Sequence, residues 1–265
     1  MHVQALSLGF EIDIWKAQQG AVHSCFDHAI NLLVHGELWT LLGESQCDAP
    51  FGIRVDRLRA LGVTSTDRVD LRAGYLRVGP SIVDCRNAAR WVPAGWGTPA
   101  SGLERRLALV EREAQLRAWP GSVEIASDLI TALHGSDAGL ARTVQRSVGR
   151  GPGLTPAGDD VLVGIFAAVT AGAHPSASRL AAALNPVLHS TSDISRHLLQ
   201  QASRGLFGRA LYDFGRVLFD NVSEDIVSSA LTPVLDTGCT SGADACVGLA
   251  AACRLMFLPA ERLAS

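Results

Sequence analysis

Two short stretches hold the residues whose types and spacing could do chemistry. The first, Gly149 to Gly172, reads G-R-G-P-G-L-T-P-A-G-D-D and then V-L-V-G-I-F-A-A-V-T-A-G. Glycines let a backbone take positive φ and approach a ligand closely. Thr155 before Pro156 predicts a helix start, with a hydroxyl at the N-cap and a preset φ in the first turn. A helix entrance there would aim unpaired N–H groups at whatever the loop surrounds, an environment suited to an anion. Asp159 and Asp160 fall in or beside the first turn, where the dipole favours negative charge. No Lys-Ser/Thr follows the glycines, so this is not a Walker A loop. A capped turn would explain the same residues without a ligand, but the whole run, leading into an uncharged helix, points to a site.

The second stretch repeats the first in outline. Gly158-x-Asp160-x-x-x-Gly164-x-x-x-Ala168 matches Gly242-x-Asp244-x-x-x-Gly248-x-x-x-Ala252. Residues four apart share a helical face. Each helix therefore carries an acid in its first turns above a stripe of small residues, and close approach is expected at Gly164 and Gly248. The two N-termini would then meet, adding Thr240, Ser241 and Gly242 to the first entrance, with Thr191, Ser192 and Ser195 as a third. Gly151, Gly153, Thr155 and Gly158 would bind a small carboxylate or phosphate. Asp159, Asp160 and Asp244 would hold Mg²⁺, orient an amide or serve as a general base. The small-residue stripe has a plain packing explanation as well. No Ser-His-Asp or Cys-His arrangement emerges, His189 and His197 make no dyad by closeness alone, and the spacing of His23, His28 and His35 matches no metal pattern.

The surrounding chain reads as α+β. Residues 1–95 form a β-rich part, a small barrel or folded sheet, from short runs at 22–26, 29–34, 38–42, 50–55, 71–78 and 81–85, with His35-Gly36 as a hairpin turn. Residues 90–102, rich in Pro, Gly and Trp, are a linker whose tryptophans would pack between the two parts. Residues 103–265 form a mainly helical part. Its first helix is marked by Leu103, Leu107, Val110 and Ala114 at a period near 3.6, and its last runs from Ser241 toward Phe257 with Pro259 just beyond.

Of the 265 residues 48% are hydrophobic and 18% charged, which describes a globular chain with an ample core. A net charge of −3, with Lys16 the only lysine, gives no electrostatic case for nucleic acid. No apolar run reaches the roughly 20 residues that cross a bilayer, and the first residues lack the features of a signal peptide. A soluble cytoplasmic protein is expected. The six cysteines include no C-x-x-C pair, so free thiols are expected, with Cys246 and Cys253 as small core residues.

The block G-R-G-P-G-L-T-P-A-G-D-D-V-L-V-G, the T-S-x-x-S run at Thr191–Ser195 and the late T-S-G-x-D-x-x-x-G at Thr240–Gly248 resemble a bacterial family associated with the AllH-type subunit of oxamate carbamoyltransferase, in anaerobic allantoin and purine degradation. The resemblance covers most of the chain, including P-F-G-I-R-V in the β-rich part. It implies carbamoyl transfer between oxalurate and phosphate, giving oxamate and carbamoyl phosphate, by an enzyme of several subunits. Two other readings stand beside it: a non-catalytic metabolite-binding or scaffold subunit, and a metal-dependent hydrolase using the three aspartates.

Overall fold

The computed structural model describes residues 1–258; Pro259 lies outside them. The chain divides into two compact units, one over Met1–Pro93 and one from Ala94 onward.

The first unit is built from β1 (His2–Gly9), β2 (Gln18–Cys25), β3 (Ala29–Val34), β4 (Glu37–Leu42), β5 (Gly52–Val55), β6 (Arg68–Arg72), β7 (Tyr75–Val78), β8 (Ser81–Asp84) and β9 (Ala89–Trp91). Their order is β5-β4-β3-β2-β6-β7-β8-β1-β9, and β1 also pairs with β5, which closes the sheet into a barrel. On one side of β1, β8 pairs beside residues 2–4 and β9 beside residues 7–9, so β8 and β9 are two halves of one stave. The pleat turns alternate side chains inward, and Val3, Leu32, Val34, Leu41, Ile53, Val55, Leu71, Leu76, Val78 and Val83 fill the interior.

One expectation changes here. Residues 71–78 are not one strand interrupted at Gly74 but a hairpin, with Ala73 and Gly74 both at positive φ, the backbone that matches a two-residue turn to strand twist. His35 and Gly36 make the same kind of turn, as their sequence indicated. Of the tryptophans in the 90–102 segment, Trp91 packs on Phe10 within the first unit and Trp96 on Phe219 within the second.

The second unit contains α1 (Leu103–Gln115), α2 (Ser122–Leu133), α3 (Asp137–Ser147), α4 (Ala157–Ala171), α5 (Ser176–Leu184), α6 (Asp193–Ser203), α7 (Arg209–Phe219), α8 (Glu224–Leu235) and α9 (Ser241–Phe257). The helix marked by Leu103 ends at Gln115. α4 and α9 are buried on nearly every side, which is what the long apolar runs after their first-turn acids require. They cross at the two glycines foreseen. A Cβ on Gly164 would stand 1.8 Å from the Ala245 carbonyl oxygen, and one on Gly248 2.1 Å from that of Val161. Around this pair, α1, α2 and α8 pack on α9, and α2, α5 and α6 on α4. Arg254 near the end of α9 donates to Glu111 of α1 from Nε and Nη2, at 2.5 and 2.8 Å. Burial pushes the Cys246 and Cys253 thiols up to about 12, so both are inert core residues. Among the described residues no helix is long and apolar enough to cross a membrane.

Candidate functional site

Because α4 and α9 cross at Gly164 and Gly248, the same distance from the start of each helix, their entrances lie together. Thr155 and Ser241, 86 residues apart in sequence, join hydroxyls at 2.7 Å. That contact corrects the expected cap. Pro156 is the N-cap of α4, without a side-chain capping bond, and the Thr155 hydroxyl spans to the other helix instead. Of the expected third entrance, Ser192 does cap its helix, its hydroxyl accepting from Ser195 N–H at 3.1 Å and donating to the Leu154 carbonyl.

The three aspartates have different partners. Asp159 is saturated: Oδ1 accepts from Gly149 N–H at 2.8 Å, and Oδ2 accepts from the hydroxyls of Ser195, at 2.6 Å, and Thr191. It ties the glycine loop and the start of α6 to α4. Asp244 is wholly buried, and its Oδ1 accepts from Trp119 N–H at 2.8 Å and the Ser122 hydroxyl at 2.5 Å. Its Oδ2 has no partner. Asp160 retains only 6% exposure, and its Oδ2 is likewise unpartnered. Burial pushes Asp160 up to about 8; the Ser241 and Thr155 hydroxyls act against this, while the charges of Asp244 and Asp159 add to it. Asp160 is therefore a carboxyl group that exchanges its proton close to neutrality.

The backbone donors expected to face an anion are largely taken. Gly158 N–H donates to the Arg150 carbonyl at 2.8 Å, and Asp159 and Asp160 N–H to that of Pro156. At the other entrance Gly242 N–H donates to Thr237 and Asp244 N–H to Thr240. Gly158 and Gly242 serve close packing, since a Cβ would meet the carbonyl oxygens of Ser147 at 2.0 Å and Val234 at 1.7 Å. Gly151 and Gly153 hold positive φ in the loop, the latter facing open space. Among the described residues no group of three or more His, Cys, Asp or Glu side chains is placed to hold a metal ion, and the trio Asp159, Asp160 and Asp244 is no exception. What this place offers is two buried carboxyl oxygens without partners.

Trp119, Ser122 and Gly149 were not foreseen as parts of the site. The first two reach Asp244 from more than a hundred positions away in sequence, and nothing local to them signals it. Arg150, half-buried in the loop, ion-pairs with Glu124 at 3.5 Å, and its guanidinium stands 6.0 Å from the Trp119 ring centre.

Residues 147–253, which hold every group just described except Trp119, Ser122 and Glu124, match the family described as oxamate carbamoyltransferase subunit AllH. Residues 4–90, the barrel, match the AllH family N-terminal domain. The chain belongs to the AllH family. No curated protein and no solved structure matches it. Membership of AllH makes the chain a relative of a carbamoyltransferase subunit, a component that works with other subunits.

Proposed function

We propose that this chain is a substrate-binding subunit of a carbamoyltransferase of the oxamate and oxalurate type, in ureide and purine catabolism, and that its ligand enters between the starts of α4 and α9. The observation that carries this reading is the pair of buried, unpartnered oxygens, Asp160 Oδ2 and Asp244 Oδ2, at the two entrances that the Thr155–Ser241 hydroxyl bridge joins. Leaving such atoms unpaired costs roughly 1–3 kcal/mol each, more when charged, a cost that structural acids avoid. Asp159 next door avoids it.

In the reaction the family name implies, a phosphate oxygen attacks the carbamoyl carbon of oxalurate. The bond from that carbon to the oxamate nitrogen breaks, its electron pair stays on nitrogen, and carbamoyl phosphate forms. The nitrogen must take up a proton. An acid that titrates near 8 holds one at neutral pH and can give it up in the step, and the proton lost by the attacking phosphate restores it. In this reading the loop Gly149–Thr155, exposed at Leu154, is the approach to Asp160.

The test is phosphorolysis of oxalurate by the full chain, alone and with the other subunits of its enzyme, followed by carbamoyl phosphate formation. Asp160→Ala is expected to lower kcat/KM about a hundredfold while the assembly stays intact. Unchanged turnover in that variant would remove Asp160 from the chemistry. It would favour the second reading, a non-catalytic metabolite-binding or scaffold subunit, for which the fully bonded Asp159 tie already gives a structural use of the same motif.

A further inference from the structure

We propose that Asp160 and Asp244 form a subsite for a primary amide, with Asp160 Oδ2 meeting the carbonyl and Asp244 Oδ2 the NH₂ of a carbamoyl or oxamoyl group. This deepens the proposed function and rests on it for the identity of the whole substrate, but its own grounds are separate. Both oxygens are buried and unpartnered, on side chains at least nine-tenths buried. They belong to acids that sense each other's charge, and close carboxylates resist ionising together. One carboxylic acid beside one carboxylate presents one O–H donor and one bare acceptor. A primary amide presents the complement, one carbonyl acceptor and an NH₂ donor. A carboxylate ligand presents only acceptors, so it would leave the Asp244 oxygen unpaired.

The direction of Asp244 is fixed independently. Trp119 N–H and the Ser122 hydroxyl both occupy Oδ1, which leaves Oδ2 as the atom facing the ligand. The same bonds determine what a substitution does. In Asp244→Asn the side-chain oxygen remains with Trp119 and Ser122, and the amide nitrogen takes the place of Oδ2. An acceptor becomes a donor in the same position, with one atom changed.

The experiment is calorimetric titration of the full chain with oxamide, oxamate and oxalate, three ligands of one shape carrying two, one and no NH₂ groups. Oxamate is expected to bind about tenfold or more tightly than oxalate, the equivalent of one hydrogen bond to a charged group. Asp244→Asn should invert that preference. Asp160→Ala should weaken oxamate about tenfold and keep the preference. Oxalate binding the intact chain as tightly as oxamate overturns the subsite, and so does the absence of binding by all three. If oxamide binds through Asp244 and oxamate does not, the amide subsite stands and the carboxylate-bearing substrate of the proposed function falls. Oxalurate turnover together with equal binding of oxamate and oxalate does the reverse, removing the subsite and leaving the proposed function in place.

Discussion

The entrances of α4 and α9 begin from the same pattern, a glycine, an acid two residues on and a small residue every fourth position after it. They end in different circumstances. Asp244 is locked by two donors from the α1–α2 junction and has no exposure. Asp160 keeps a sliver of exposure under a hydroxyl bridge and beside a loop of glycines. In the proposed site the α9 entrance is the fixed wall and the α4 entrance the approach. Similar sequence gives similar backbone; the use of each acid is decided by what arrives from elsewhere in the chain.

The largest effect would come from spoiling the crossing that brings the entrances together. Gly164→Ala puts a methyl within 1.8 Å of a backbone carbonyl oxygen that cannot rotate away. A loss of about 3 kcal/mol or more is expected in unfolding free energy from denaturant titration, at the upper end of overpacking costs. A loss below about 1 kcal/mol would mean that the helices slide apart easily and that the shared site is not rigid.

Next is the proton on Asp160. Its folded pKa, about 8, lies above the unfolded value, so the folded state binds the proton more tightly. The stability this contributes is complete below about pH 4 and is lost as pH rises through about 8, with an upper limit of roughly 6 kcal/mol. Urea unfolding from about pH 4 to about pH 9 should show this decline in the intact chain and a flatter profile in Asp160→Asn. Equal slopes would place Asp160 in a wetter setting, like an ordinary surface acid.

Smallest is Thr155→Val, which removes one hydroxyl from the bridge to Ser241. A change of about 1 kcal/mol in thermal stability is expected. A neutral outcome would show that the bridge closes the approach without fastening it.

Much of this comparison was legible in the sequence. The Gly164–Gly248 crossing follows from spacing alone, because small residues four apart are a local pattern with one geometric meaning. The span of α9 was legible for the same reason, an apolar run between a hydroxyl entrance and its end at Phe257. The strand at His2–Gly9 was not. It closes the barrel by pairing with β5 and β8, and those partners are distant in sequence. The hairpin at Ala73–Gly74 was hidden because apolar residues flank the turn on both sides, so the pattern ran through it. Thr155 was read as a cap because that is its commonest local use. Its hydroxyl went instead to a residue 86 positions away, a choice made by tertiary packing. Asp159 and Asp160 could not be told apart for the same reason: their difference lies in Thr191, Ser195, Ser241 and Asp244.

The closed barrel bears on how a subunit of this family can join others. Many proteins recruit partners by lending a bare strand edge, so that a visiting chain extends the sheet. Here each stave has a neighbour on both sides, and among the described strands only the three residues of β9 end the order with one neighbour. Arg90 in that short strand is already bonded to the carbonyls of Gly9, Phe10 and Ile12. Sheet extension has almost no backbone to work with, so any partner that met the barrel would have to read its outward side chains, residues that the fold itself leaves free to vary.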